Sequence, residues 1–189
     1  NKAPSAMVSE ADLASDQAIE DVIRSYNPED LIFSEERDPS IRFSQKKNYW
    51  IIDPLCGTVP FMNRFPTWGI SVAYCSNAAN SSVAAISCPD INELIHCDGN
   101  KVYRNGEEFK LKPDFPSFPD LTLCLEIEGG KNWVNLFNGK LDWIKNFSYL
   151  NSFASAVFPG MQVILGNISL LVIYKISLEH VAGLVSIGS

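Results

Sequence analysis

The stretch Trp50-Ile51-Ile52-Asp53-Pro54-Leu55-Cys56-Gly57-Thr58 constrains this chain more than any other, because an apolar strand here ends in a turn that crowds together a carboxylate, a thiol and a hydroxyl. The β-branched residues ahead of Asp-Pro read as a buried strand, and Asp, Pro and Gly as the turn that closes it. A second apolar run, Leu31-Ile32-Phe33, closes in Ser34-Glu35-Glu36. Two strands ending this way would deliver Glu35 and Asp53 to one place. Acidic oxygens gathered at strand ends bind hard cations such as Mg²⁺.

At these residues the chain resembles the inositol monophosphatase superfamily of Mg²⁺-dependent, often lithium-sensitive phosphomonoesterases. The signature of that superfamily reads Trp-(Ile/Val)-(Ile/Val)-Asp-Pro-(Ile/Leu)-Asp-Gly-Thr, and the match continues through Phe61, Phe65 and Pro66. Cys56 stands where the signature has its second Asp. Two further motifs precede it in order: Val8-Ser9-Glu10-Ala11-Asp12 resembles Val-Thr-x-x-Asp, and Ser34-Glu35-Glu36 resembles Gly-Glu-Glu.

The resemblance implies an α/β (α+β) fold, a layered α-β-α-β-α sandwich. Residues 1–112 would form an N-terminal half carrying the metal motifs and 113–189 a C-terminal half, together one catalytic unit. It implies that Glu35, Asp53 and the backbone carbonyl of Leu55 hold a first Mg²⁺. Thr58, hydrogen-bonded to Asp12, would orient the attacking water. Gly57, Thr58, Ser155 and Ala156 would receive the phosphate, since Ser155-Ala156 matches the family's Gly-(Ser/Thr)-Ala-Ala element at the head of a helix.

A second metal would be shared by Asp53, Cys56 and a residue of a late Trp-Asp-x-Ala-Ala-Gly motif, which here reads Leu178-Glu179-His180-Val181-Ala182-Gly183. Aligning Ala182-Gly183 with the small pair assigns Glu179 as the ligand. A gap-free count from Ser155 gives His180 instead, and the local motif favours Glu179. A thiol is a poor ligand for Mg²⁺, so Cys56 predicts a weakened second site or a softer ion such as Mn²⁺ or Zn²⁺.

Two functional readings follow. The first is metal-dependent hydrolysis of a small phosphate monoester of inositol, sugar or nucleotide 3′-phosphate type. The second is a catalytically impaired relative kept as a binding or regulatory protein. Inositol-type members carry an acidic residue ahead of the late motif, whereas Leu170-Leu171-Val172-Ile173-Tyr174 holds no carboxylate. The family pattern also has a helix before the first motif and strands after the late one, and the chain is expected to lack both. Family members are often dimers, which makes a homodimer the expectation.

Composition narrows the partners. With 189 residues, 46% of them hydrophobic, the chain can bury a substantial core. A net charge of −7 argues against a nucleic-acid polymer or an anionic membrane, and leaves a small phosphorylated metabolite bound through metal. No run approaches the roughly 20 apolar residues of a membrane span, and the N-terminus does not read as a signal peptide, so a cytoplasmic protein is expected. The five cysteines show no CxxC spacing, which suggests reduced thiols rather than a disulfide framework.

Along the chain, Leu13, Ile19, Val22, Ile23 and Tyr26 predict an amphipathic helix from Asp12 to Tyr26, closed by Asn27-Pro28. The polar connection Arg37–Asn48 reads as a loop able to cover a site. Runs 69–74, 82–87 and 93–96 read as strands of a meander with turns at Asn77–Asn80 and Pro89-Asp90, and Asn105-Gly106 as a tight turn. Lys112–Pro119 reads as a linker. Leu121–Ile127 predicts a strand, Trp133, Leu136 and Phe137 a helix, and the apolar segment to Tyr174 a buried helix followed by a strand.

Overall fold

Ser9 starts the first helix, α1 (Glu10–Tyr26), two residues ahead of the sequence expectation. Its side chain accepts from the Asp12 backbone N–H while the Asp12 carboxylate accepts from the Ser9 N–H at 2.8 Å. This reciprocal capping box satisfies two orphan donors and buries Asp12 in the first turn. The computed structural model describes residues 9–37, 48–76, 82–110, 121–127 and 142–188. The expectations for Arg37–Asn48 (all but its end residues), Asn77–Asn80, Lys112–Pro119 and the Trp133–Phe137 helix lie outside the described residues.

Strands β1 (Leu31–Ser34), β2 (Tyr49–Cys56), β3 (Gly69–Cys75), β4 (Ser82–Cys88), β5 (Glu93–Cys97), β6 (Val102–Arg104) and β7 (Glu107–Phe109) form one sheet in sequence order. The β1–β2 pair is parallel and every later pair antiparallel, so the meander expected from the turn residues is what forms. At the β6–β7 turn Asn105 and Gly106 both take positive φ, 49° and 87°, as a two-residue hairpin with the right twist requires.

Alternation along these strands makes two apolar faces. Ile32 and Ile52 join Ile23 of α1 on one face. Ile51, Ala73, Ala84 and Ile86 lie on the other, packed with Val157 and Met161 of α3 (Val157–Ile164) and Ala182 and Ile187 of α4 (Ala182–Gly188). A short helix, α2 (Thr58–Met62), follows β2 directly. A second sheet, ordered β10 (Leu170–Tyr174), β8 (Thr122–Ile127), β9 (Tyr149–Asn151), is parallel and contacts α3 through β10. The described layers therefore run helix, sheet, helices, sheet, the layered α/β sandwich expected from the sequence.

Strand β2 does not stop at Ile52, as the sequence suggested, but runs on through Asp53 and Pro54 to Cys56. Asp53 pairs with Ser71 and Cys56 with Gly69, so Pro54 and Leu55 together face the single residue Ile70. This is a β-bulge, and it accommodates a proline that has no ladder N–H to give. In a regular strand, side chains three apart point to opposite faces. The extra residue cancels that alternation and puts Cys56 on the face that carries Ile51 and Asp53.

Candidate metal and phosphate site

The site collects at the ends of β1 and β2. Ser34 donates to Asp16 Oδ1 at 2.5 Å, and Arg37 binds Asp16 at 2.8 Å and Glu20 at 2.6 Å, which ties the end of β1 to α1 and fixes the segment carrying Glu35. The two carboxylates hold the Arg37 guanidinium above its usual range against the opposing cost of burial, and Arg37 in turn lowers Glu20. On β2, Trp50 Nε1 donates to Asp30 Oδ2 at 3.0 Å, Ser15 of α1 donates to the Pro54 carbonyl at 2.8 Å, and the Leu55 N–H donates to Asp53 Oδ1 at 3.2 Å. These bonds hold the bulge and orient the Asp53 carboxylate, which is wholly buried.

Gly57 ends the strand at φ +102°, the left-handed region open to glycine. A Cβ there would stand 3.0 Å from Ser155 Cβ, so both conformation and space reserve the position for glycine. Thr58, the first residue of α2, donates its hydroxyl to Asp12 Oδ1 at 3.1 Å. The same Asp12 carboxylate thus caps α1 with one oxygen and receives Thr58 with the other.

Ser155 and Ala156 lie buried at the head of α3 against this turn. Ser155 Oγ donates to the Cys56 carbonyl at 3.0 Å, and the N–H groups of Ala156 and Val157 point at Cys56 Sγ from 3.1 and 3.4 Å. Glu126 on β8 holds the approach to this helix. Its buried carboxylate accepts from the Phe153 N–H, from the Ala154 N–H at 3.0 Å and from Ser152 Oγ at 3.2 Å. Burial pushes the Glu126 carboxyl up, and those donors work in the opposite direction. Sequence reasoning missed Glu126, whose one signal is a lone acid in the apolar run Leu121–Ile127.

The late motif departs from the sequence preference. Residues Leu178–His180 form a single 3₁₀ turn, and it is His180, not Glu179, that enters the site. His180 Nδ1 lies 2.5 Å from Asp53 Oδ2 and 3.8 Å from Glu35 Oε2. Glu179 belongs to no metal-binding group among the described residues. The preference for Glu179 comes from aligning Ala182-Gly183 with the family's small pair, and that register places the ligand one residue too early. The gap-free count from Ser155 carried the signal.

Asp53, Cys56 and His180 bring one oxygen, one sulfur and one nitrogen within 4.8 Å of one another. Burial and the Asp53 charge push the Cys56 thiol up, against the pull of His180 and Ser155. Burial disfavours charge on His180, but the Asp53 carboxylate outweighs it and, with Cys56, pushes the imidazole up to about 12. Beside this group, Ser71 Oγ is buried with no hydrogen-bond partner among the described residues, and a Cβ on Gly183 at the head of α4 would stand 2.5 Å from it. No helix among the described residues is long and apolar enough to cross a membrane.

Residues 1–134 match the model of the inositol monophosphatase family. A fructose-1,6-bisphosphatase/inositol-1-monophosphatase of Thermotoga maritima is 31% identical over 106 residues, which are 56% of this chain and 40% of that protein. The chain thus spans less than half the length of the curated relative it matches. The structure of the extragenic suppressor protein suhB from Bartonella henselae superposes with a TM-score of 0.81 at 20% identity, over 98% of this chain and 71% of that one. An IMPase/NADP phosphatase complexed with Mg²⁺ and phosphate superposes at 0.79 with 15% identity, over 97% and 67%. With the motifs at Asp12, Glu35 and Trp50–Thr58 all inside the 134 residues that match the family model, the chain belongs to the inositol monophosphatase family.

Proposed function

We propose that this chain carries the site of a metal-dependent phosphatase acting on a small phosphorylated metabolite. The observation that carries the reading is the Thr58–Asp12 hydrogen bond, which sets a hydroxyl oriented by a buried carboxylate beside the strand ends bearing Glu35 and Asp53. Glu35, Asp53 and the Leu55 carbonyl would hold Mg²⁺ through hard oxygens, with His180 Nδ1 standing 3.8 Å from Glu35 and 2.5 Å from Asp53 beside them. When bound, such an ion neutralises phosphoryl charge and lowers the pKa of water.

The chain's own residues do the rest. Asp12 fixes the Thr58 hydroxyl by accepting its proton in a hydrogen bond, leaving the Thr58 oxygen free to accept from a water and aim it at phosphorus. The Gly57–Thr58 turn and Ser155 at the head of α3 would receive the phosphate, whereas the Ala156 N–H is already aimed at Cys56 Sγ from 3.1 Å. Names of relatives support the substrate class: the Thermotoga protein is named for two different phosphate esters. A cytoplasmic setting and a homodimer belong to the same reading.

The test is phosphate release from a panel of inositol, sugar, histidinol and nucleotide phosphates with Mg²⁺, Mn²⁺ or Zn²⁺. Turnover that falls in Thr58→Ala and Asp12→Asn supports the proposal. Absence of release from every ester sinks it. The second reading, a catalytically impaired relative, is favoured by the His180–Asp53 contact and by Cys56, and release that appears only in Cys56→Asp/His180→Asp would establish it.

A further inference from the structure

The hard oxygens of Glu35 and Asp53 meet a different chemistry around Asp53, where His180 Nδ1 stands 2.5 Å away and Cys56 Sγ completes a group within 4.8 Å. There the neighbours are a sulfur and an imidazole nitrogen, which is the wrong chemistry for Mg²⁺, an ion that wants octahedral oxygen and sheds water reluctantly. We propose that Asp53, Cys56 and His180 form a site for a borderline transition-metal ion, Zn²⁺ above all, and select against Mg²⁺. One carboxylate, one thiolate and one imidazole leaving a fourth position open is the arrangement of catalytic zinc sites.

The surroundings suit that use. The Ala156 and Val157 N–H groups aimed at Cys56 Sγ would stabilise the negative charge a thiolate ligand carries, and the Leu55 N–H does the same for Asp53. All three donors are held on the framework, two by the bulge of β2 and one by the 3₁₀ turn, with His180 only 15% exposed. Ligand atoms around a tetrahedral ion stand roughly 3.3 Å apart, so His180 Nδ1 and Asp53 Oδ2 must separate by about 0.8 Å, within the reach of side-chain rotation. The proposal deepens the phosphatase reading and takes only the meaning of the site from it, because metal binding is measured without substrate.

Co²⁺, which reports thiolate ligation through a near-ultraviolet charge-transfer band, is the probe. Titrated into chelator-stripped protein, it should bind one equivalent with that band, be displaced by Zn²⁺ at equal concentration, and resist at least a hundredfold excess of Mg²⁺. Cys56→Ser should abolish the band and His180→Gln should weaken Co²⁺ binding at least tenfold, while Cys75→Ser changes neither. Cys56→Asp, which preserves an acceptor for the α3 N–H groups, keeps the fold, loses the band and shifts preference toward Mg²⁺. A folded wild-type protein that binds Co²⁺ without a charge-transfer band, or that binds none, overturns the proposal, as does easy displacement by Mg²⁺. Failure of phosphate release with the band intact overturns the phosphatase reading alone.

Discussion

His180 Nδ1 and Asp53 Oδ2, separated by 127 residues in sequence, meet at 2.5 Å inside the protein and close the space between β2 and the last 3₁₀ turn. Burial disfavours charge on His180, but the wholly buried Asp53 beside it outweighs that cost and pushes the imidazole up to about 12.

That shift has a sign in stability. A histidine whose folded pKa exceeds its unfolded value stabilises fully below the unfolded pKa and progressively less as pH rises toward the folded one. In chelator, the advantage of wild type over His180→Gln should therefore be greatest near pH 6 and fall by up to about 1.4 kcal/mol per pH unit above roughly pH 6.5. Urea denaturation at pH 6, 7, 8 and 9 measures it. A difference independent of pH would mean that the pair is not charged.

Thr58→Ala should lower turnover by about 10²–10⁴-fold, the span of positioned general-base help, with stability nearly unchanged, and Thr58→Ser should restore most of the rate. Asp12→Asn should lose comparable activity, and also about 1 kcal/mol of stability, because Asp12 caps α1 as well. Steady-state kinetics beside thermal melts separate the two effects.

Glu126→Ala removes the acceptor for the Phe153 and Ala154 N–H groups and should cost about 2–4 kcal/mol. The loss should reach the proposed phosphate site, since this loop leads into Ser155 and α3. Hydrogen exchange should speed at Ser155 and Ala156 in the variant while the β3–β4 pair keeps its protection.

Gly183→Ala should destabilise by about 1–3 kcal/mol, because the new methyl meets Ser71 Oγ and Ile86 Cγ2. Ser71→Ala deletes a buried hydroxyl with no partner among the described residues, and should be neutral or stabilising by up to about 1 kcal/mol. The double variant should recover part of the Gly183→Ala loss. Strict additivity in denaturation would separate the two sites.

Much of this arrangement was legible in the residues. The strand runs, the tight turn at Asn105-Gly106, and Glu35 and Asp53 at neighbouring strand ends follow from period-two hydrophobicity and turn chemistry acting locally. The Asp12–Thr58 bond was legible only through the family motif, because it joins residues 46 apart. His180 was passed over because the alignment was anchored on Ala182-Gly183, and two adjacent polar letters give no local signal of which one faces Asp53. Glu126 was hidden because two of its partners are backbone N–H groups, which no residue letter encodes, and they lie 27 and 28 residues away. The continuation of β2 past Pro54 was hidden because a proline normally terminates a strand, and only the bulge lets it stay.

That bulge makes chain parity a functional variable. A relative could keep Asp at the position of Asp53 and a ligand at that of Cys56, yet with a straight strand would show one to each side of the sheet. Deleting Pro54 would preserve every named ligand and leave Asp53 and Cys56 back to back. The spacing between Asp53 and Cys56 is therefore as much a part of the proposed metal site as the two residues themselves.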